Sequence, residues 1–421
     1  MTIATTDSTS TARPRPRHAS MTQFAVADNC LQIGGRALSA LADEMGRTPF
    51  YAYDSAVMSA QVQRLRELLP PELHLHYAMK ANPMPAVVRH LAGITDGLDV
   101  ASAGELEVAL AAGADPRAIS FAGPGKSTAD LTAAVAAGVI INLESEHEMR
   151  RLAALVSGRG ERPRVAVRVN PDFELKTSGM KMAGGAKPFG VDAERVPQML
   201  GELASLPLDF VGFHIFCGSQ NLRPEAIVEA QANTFELAVR LAGCAPQPVR
   251  WLNIGGGLGV PYFPGERELD LQPIAASLPP LLAAAREELP GAEIVMELGR
   301  YLVAAAGIYV CEVLERKQSR GETFLITNGG LHHHLAASGN FGQVLRKNYP
   351  VCLGNRMASP ATEIVNVVGP LCTPLDILAE KVELPVAEPG DLLVVYQSGA
   401  YGYSASPRDF LSHPHPLEIL L

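Results

Sequence analysis

AISFAGPGKSTADLTAAVAAGVIINLES (118–145) reads as one strand–helix–strand unit. Its first part, AISFAG (118–123), is short and rich in apolar, β-branched or aromatic residues, and glycine and proline stop it. ADLTAAVAAG (129–138) is apolar on one face and closes on a glycine, a common helix stop. VIINLES (139–145) starts the next apolar run at once. The alternation extends both ways through LHLHYAMK (73–80), GLDVAS (97–102), RVAVRVNP (164–171), DFVGFHIFCG (209–218), WLNIGGG (251–257) and EIVMELGR (293–300). Helical stretches such as GELEVALAAG (104–113) lie between them. Eight such strands alternating with helices predict a parallel (β/α)₈ barrel of the TIM type over residues 48–300.

Beyond residue 301 the pattern changes. YVCEVLERK (309–317), ETFLITNG (322–329), TEIVNVVG (362–369) and GDLLVVY (390–396) are strand-like with turn residues between them, which predicts an all-β domain over 301–421. FAVADNCLQIGG (24–35) has the same texture, so the segment 21–47 is expected to join that domain. Residues 1–20, rich in Thr, Ser, Arg and Pro, are expected to form a disordered tail.

Composition bounds the function. Hydrophobic residues make up 47% and charged residues 19%, as in globular proteins. The net charge of −9 argues against nucleic acid or an anionic membrane as partner. No stretch approaches the roughly 20 apolar residues of a membrane span, and the opening has no apolar signal core, which predicts a cytoplasmic protein. The six cysteines form no C-x-x-C pair, so neither zinc nor a disulfide framework is expected.

In such a barrel the carboxyl ends of the strands build the active site. Lys80 ends the first strand, where desolvation is expected to lower its pKa and free an amine for imine formation. A surface lysine is the competing reading. Gly255-Gly256-Gly257 at the seventh strand would let backbone N–H groups approach a phosphate. Glu297 and Arg300 at the eighth could pair with a protonated pyridine nitrogen and a phosphate. GPGKST (123–128) imitates a P-loop, but the motif's first glycine would fall on Ser120. The triplet His332-His333-His334 suggests a metal only superficially, since neighbouring strand residues point to opposite faces. A local turn or a place in a substrate loop suits it better, and no metal is expected.

These residues resemble the alanine-racemase-type (fold type III) decarboxylases dependent on pyridoxal 5′-phosphate (PLP), the diaminopimelate, ornithine and arginine decarboxylase family. The resemblance runs from about Thr48 to the C-terminus through YAMKAN around Lys80, DVASAGE (99–105), CGSQ (217–220), GGG (255–257), ELGR (297–300), GPLC (369–372) and GAYG (399–402). It implies that Lys80 is the Schiff-base lysine and that Glu297 partners the pyridine nitrogen. Ser219, Gly256, Gly257, Arg300 and Tyr401 fall at the phosphate, and Asp99 on the cofactor side. Cys372 would reach a neighbouring subunit's site to protonate the carbanion, which implies a homodimer with shared sites.

Three departures bear on the substrate. Where diaminopimelate enzymes read H-x-H-I-G-S, this chain has His214-Ile215-Phe216-Cys217-Gly218-Ser219. Phe216 is therefore expected to stack on the cofactor, with His214 behind it or merely a satisfied core histidine. Thr373-Pro374 replaces the Glu-Ser that follows the cysteine, with Asp376 further on, which argues against recognition of a distal ammonium. GGLHHHLAASGNFGQVLRKNYP (329–350) replaces a segment that usually holds R-P-x-L-Y. With GPLCTPLDIL (369–378) and SPRDFLSHPHPLEIL (406–420), it is most similar to a subgroup that includes exosortase-A-system-associated decarboxylases and the carrier-protein-linked glutamate decarboxylase of butirosin biosynthesis. This implies an amino acid tethered to an acyl carrier protein, with Arg346, Tyr349, Thr373, Asp376, Arg300 and Tyr401 on the substrate side. Arg346 and Lys347 become candidates for the tether's phosphate, and a solvated basic pair is the plain alternative. Free meso-diaminopimelate is the rival substrate, and a non-catalytic PLP-binding regulator the rival of another class.

Overall fold

The computed structural model describes residues 16–160, 162–173, 180–181, 184–360 and 362–421. Eight parallel strands form the barrel: β1 Leu73–Ala78, β2 Gly97–Val100, β3 Ile119–Phe121, β4 Ile140–Leu143, β5 Arg164–Asn170, β6 Asp209–Ile215, β7 Trp251–Gly256 and β8 Glu293–Leu298. Each pairs with its successor and β8 pairs with β1, so the sheet closes. All eight expected runs are present. They read as continuous apolar segments because parallel strands are covered on both faces.

The unit over 118–145 shows how local chemistry sets the elements. Ser127 and Asp130 cap the helix Thr128–Ala137 reciprocally, and Gly138 ends it with φ of 72°. Lys126, the lysine of the P-loop look-alike, is buried. Its Nζ donates to the carbonyls of Gly123 (2.7 Å) and Asn142 (2.8 Å) and lies 2.9 Å from Glu148. Its charge is used inside the fold.

The β domain contains β9 Gly307–Ser319, β10 Glu322–Thr327, β11 Val351–Leu353, β12 Thr362–Val368, β13 Ile377–Pro385, β14 Leu392–Val395 and β15 Leu417–Leu420. Its strand order is β11–β14–β9–β10–β12–β13. The strand Phe50–Tyr53 lies within the span expected for the barrel, yet it pairs antiparallel with β9 and parallel with β15. All four of its side chains are buried, so it needs cover on both faces and neighbours on both edges, and the β sheet supplies them. The segment before it joins the same core: Phe24, Leu31, Ile33, Leu38 and Leu41 pack with Phe50, Ala52, Ile308, Val310 and Val394.

Of the expected tail, residues 1–15 lie outside the described residues. Residues 16–20 run along the protein, where the Arg17 carbonyl accepts from Gly265 N (2.8 Å) and His18 Nε2 donates to the Asn348 carbonyl (2.8 Å). No helix among the described residues is long and apolar enough to cross a membrane.

The register of β6 shifts between Phe210 and Gly212. A Cβ at Gly212 would stand 1.7 Å from the Trp251 carbonyl oxygen of β7, so a side chain there must push the two strands apart. Gly212→Val should destabilise the protein by about 3 kcal/mol. Denaturant unfolding checks this, and an unchanged midpoint would contradict the tight approach.

Candidate active site

A cavity of about 330 Å³ opens at the carboxyl ends of the barrel strands. Lys80 enters it from the single 3₁₀ turn Met79–Ala81 that follows β1. Asn82 anchors that turn. Its side-chain nitrogen donates to the Gly399 carbonyl (3.0 Å), and its own carbonyl accepts from the Tyr77 hydroxyl (2.9 Å). Lys80 Nζ lies 3.2 Å from Glu297 Oε1 and 5.6 Å from the centre of the Phe216 ring.

Glu297 ends β8 and is buried. Its second oxygen sits 3.0 Å from His214 Nε2 on β6, and His214 Nδ1 is buried with no partner among the described residues. Burial opposes ionisation of Glu297, but Lys80, then His214 and Arg168, overcome it and hold the carboxyl below the usual range. Lys80 moves the other way from its expectation. The Glu297 charge outweighs desolvation and raises the lysine's pKa. The amine is held charged until Glu297 is engaged elsewhere.

Arg168, near the end of β5, also lines the cavity. Its Nη1 pairs with Glu144 Oε1 (2.7 Å), and its guanidinium lies 5.1 Å from the Phe189 ring. Glu144 accepts in addition from Gly123 N (2.5 Å) and Gly190 N (3.2 Å), which ties three loops of the barrel mouth together. Neither residue was singled out by the sequence reading. The available signal was an arginine in the apolar run RVAVRVNP. Asp99 on β2 faces the same cavity: Oδ1 accepts from Ser120 Oγ (2.5 Å) and stands 3.4 Å from His76 Nδ1, while Oδ2 is buried with no partner among the described residues.

The opposite end suits a phosphate. Ser219, Gly257, Arg300 and Tyr401 line it. Gly257 adopts φ of 77°, and a Cβ there would lie 2.3 Å from the Gly218 carbonyl oxygen; one on Gly256 would lie 2.1 Å from that of Glu297. Arg300 Nη1 donates to the Tyr262 hydroxyl (2.9 Å), and its guanidinium lies 4.6 Å from the Tyr401 ring. Its Nε is buried without a partner among the described residues. Tyr401 comes from the β domain and is pinned to the lysine turn by its backbone N–H, which donates to the Ala81 carbonyl (2.8 Å). An amine, a carboxylate for a ring nitrogen, an aromatic face at Phe216 and a glycine-and-arginine cradle for phosphate fit PLP.

The other expected substrate residues do not line this cavity. The Asp376 carboxylate is buried and accepts from the backbone N–H groups of Leu331 (2.6 Å) and Leu371 (2.8 Å). The carboxylate stands against Gly330 and Gly369, where a Cβ would come within 2.3 Å of its oxygens. Arg346 donates to the carbonyls of Ser338 (3.1 Å) and Ile377 (3.0 Å) and to Asn348 Oδ1 (3.0 Å), so it buckles its own loop rather than standing free for a phosphate. Lys347 lies 5.5 Å from the Phe263 ring. Tyr349 is buried against Tyr262, with ring centres 4.6 Å apart. Thr373 is half-buried and Cys372 exposed, both on the turn that Asp376 closes. From the 329–350 segment it is Phe341 that reaches the cavity, packing beside Tyr401.

His332, His333 and His334 form a buried turn. Burial pushes their pKa values down to about 4, 3 and 3, so they are neutral. His333 Nε2 donates to the Pro414 carbonyl (3.0 Å), and His334 Nε2 lies 2.9 Å from Ser398 Oγ. Among the described residues no group of three or more His, Cys, Asp or Glu could hold a metal ion.

Residues 55–304 match the family model described as "pyridoxal-dependent decarboxylase, pyridoxal binding domain". The chain is 39% identical to the L-glutamyl-[BtrI acyl-carrier protein] decarboxylase of Niallia circulans, over 89% of this chain and 88% of that one. It is 32% identical to the diaminopimelate decarboxylase of Aquifex aeolicus, over 94% and 91%. The crystal structure of diaminopimelate decarboxylase from Helicobacter pylori complexed with L-lysine superposes with a TM-score of 0.80 at 27% identity, covering 91% of this chain and 94% of that one.

Glu297→Gln removes the charge that holds the Lys80 ammonium, so the amine should titrate at lower pH than in the unaltered protein. The pH dependence of PLP uptake by the apoprotein, followed by absorbance, measures this. An unchanged profile would mean that Glu297 does not set the lysine's pKa. The depressed Glu297 pKa also has a sign for stability: its contribution is present above the ordinary carboxylate range and is lost as the pH falls below it.

Proposed function

We propose a substrate and a division of labour for this chain, which belongs to the pyridoxal-dependent decarboxylase family and is a PLP-dependent carboxy-lyase acting on an amino acid. The substrate is a glutamyl-type amino acid whose distal end is tethered to an acyl carrier protein. The observation that carries this reading is the use made of Asp376. Its carboxylate is buried outside the cavity lining and turned to two backbone N–H groups, so a distal ammonium such as that of diaminopimelate does not reach it there. The relative that acts on an L-glutamyl carrier protein supports the same direction.

Lys80 is the amine that would hold the cofactor's aldehyde. Glu297, kept ionised by its neighbours, would accept a hydrogen bond from the protonated ring nitrogen, and His214 fixes the carboxylate's orientation through its Nε2 contact. Ser219, Gly256, Gly257 and Arg300 would bind the phosphate, with Tyr401 packed on the Arg300 guanidinium. Phe216 offers a face to the ring, and Asp99 borders the cavity on the lysine side. When bound, PLP supplies the sink for the electron pair that departing CO₂ leaves behind. Phe341 and Tyr401 lie side by side in the cavity lining.

Cys372 returns the proton, as a thiol, to the carbon that lost CO₂. It serves the cavity of a second copy, which makes the working unit a homodimer. Its exposure, outside the lining of its own chain's cavity, supports this placement, as do the exposed Phe341, Val344, Leu345 and Leu375 on the neighbouring loops.

CO₂ release from glutamate and meso-diaminopimelate, each free and, for glutamate, as a carrier-protein thioester, tests the substrate. Turnover of the thioester alone is expected, and rapid turnover of free meso-diaminopimelate would overturn the reading. Cys372→Ala should lower product formation by about 10²-fold while leaving PLP absorbance intact. Unchanged turnover in that variant would remove the thiol from the proton path.

A further inference from the structure

A second cavity, of about 240 Å³, backs onto the lysine turn and shares no lining residue with the first. The backbone divides the two: Lys80 and Tyr401 face one, Ala81, Asn82 and Gly402 the other. Two opposite charges face the second cavity without forming an ion pair with each other. The Arg408 guanidinium lies 4.1 Å from the Tyr403 ring and has no ion pair or side-chain hydrogen bond among the described residues. Glu418, on β15, is half-buried; among the described residues its side chain accepts only from the Tyr53 hydroxyl (2.8 Å), and no cation lies in ion-pair range.

A cation and a carboxylate that share a small cavity yet stand too far apart to pair are complementary to one molecule bearing both charges. The Arg408 fork suits a carboxylate and Glu418 an ammonium. The volume lies just below the roughly 300–1,000 Å³ of drug-sized sites, which favours something as small as an amino acid. We propose that this cavity is an effector site for a small zwitterion, an amino acid or ω-amino acid, held by its carboxylate at Arg408 and its ammonium at Glu418.

Its placement gives it leverage. A ligand there presses on Ala81–Pro83, the segment that carries Lys80, and on the 399–402 turn, where Tyr401 N–H holds the Ala81 carbonyl. The inference does not depend on which substrate is tethered, since none of these residues belongs to the first cavity.

Calorimetric titration of the holoenzyme with 4-aminobutyrate tests it, because this probe has no α-carboxylate to lose. PLP absorbance, recorded in parallel, reports any reaction at Lys80. We expect saturable binding that leaves the absorbance unchanged, and at least about tenfold weaker binding of butyrate and of butylamine, each of which lacks one charge. Arg408→Gln and Glu418→Gln should each weaken 4-aminobutyrate by about tenfold, with melting temperature and PLP content retained. If Arg408→Gln fails to fold, the isosteric Glu418→Gln and the one-charge probes on unaltered protein still decide. No binding beyond a Lys80 event, equal affinity for butyrate, or unaltered affinity in a folded variant would each overturn the site.

Discussion

A carboxylate buried at the end of β8 organises this protein. Taking an ion such as Glu297 out of water costs several kcal/mol unless partners repay it, and removing one partner leaves the others uncompensated. Here the partners come from separate strands: Lys80 after β1, His214 on β6 and Arg168 on β5. They meet only because the sheet closes. Glu297 is in register with His76 of β1 and Gly256 of β7, and His214 with Arg168 and Asn253. An open sheet would leave β1 and β5 far from the charge. Closure, electrostatics and the site are one constraint.

The β domain completes what the barrel begins. Tyr401 reaches the lysine turn through a backbone hydrogen bond and places its ring over Arg300. Asp376 staples the 329–331 and 369–371 loops so that the turn bearing Cys372 is held outward. Arg346 fixes the loop that presents Phe341. Charged side chains that sequence spacing suggested for ligands thus serve to stiffen loops. In each case the backbone groups they satisfy are the ones that loops otherwise leave unpaired.

The barrel was legible because buried parallel strands carry an uninterrupted apolar signal, as in VIINLES and RVAVRVNP. The glycines at the end of β7 and the position of Lys80 followed from strand ends. The boundary expected at residue 48 takes in FYAY (50–53), since nothing local marks which sheet receives a fully buried strand. The direction of the Lys80 pKa was read from burial alone, and the ion pair that reverses it joins residues 80 and 297, too distant in sequence for spacing to reveal. Arg168 and Glu144 escaped notice for the same reason: each looks like a stray charge until β4 and β5 lie side by side. Asp376 and Arg346 were read as ligand groups because the backbone atoms they satisfy belong to loops whose course no local pattern predicts.

Phe50–Tyr53 has a consequence for how the protein comes into being. Its edges are matched by Gly307–Val310 and Leu417–Leu420, so it is made early and partnered late. During synthesis the barrel strands emerge in the order in which they pair, and each can settle against the last, whereas this strand waits with both edges bare. The β domain can close only after residues 417–420 have left the ribosome. Assembly should therefore be slow at its final step, governed by a long-range pairing rather than by the barrel, and the strand most exposed to chaperones or to mispairing is the one that ends up among the most deeply buried.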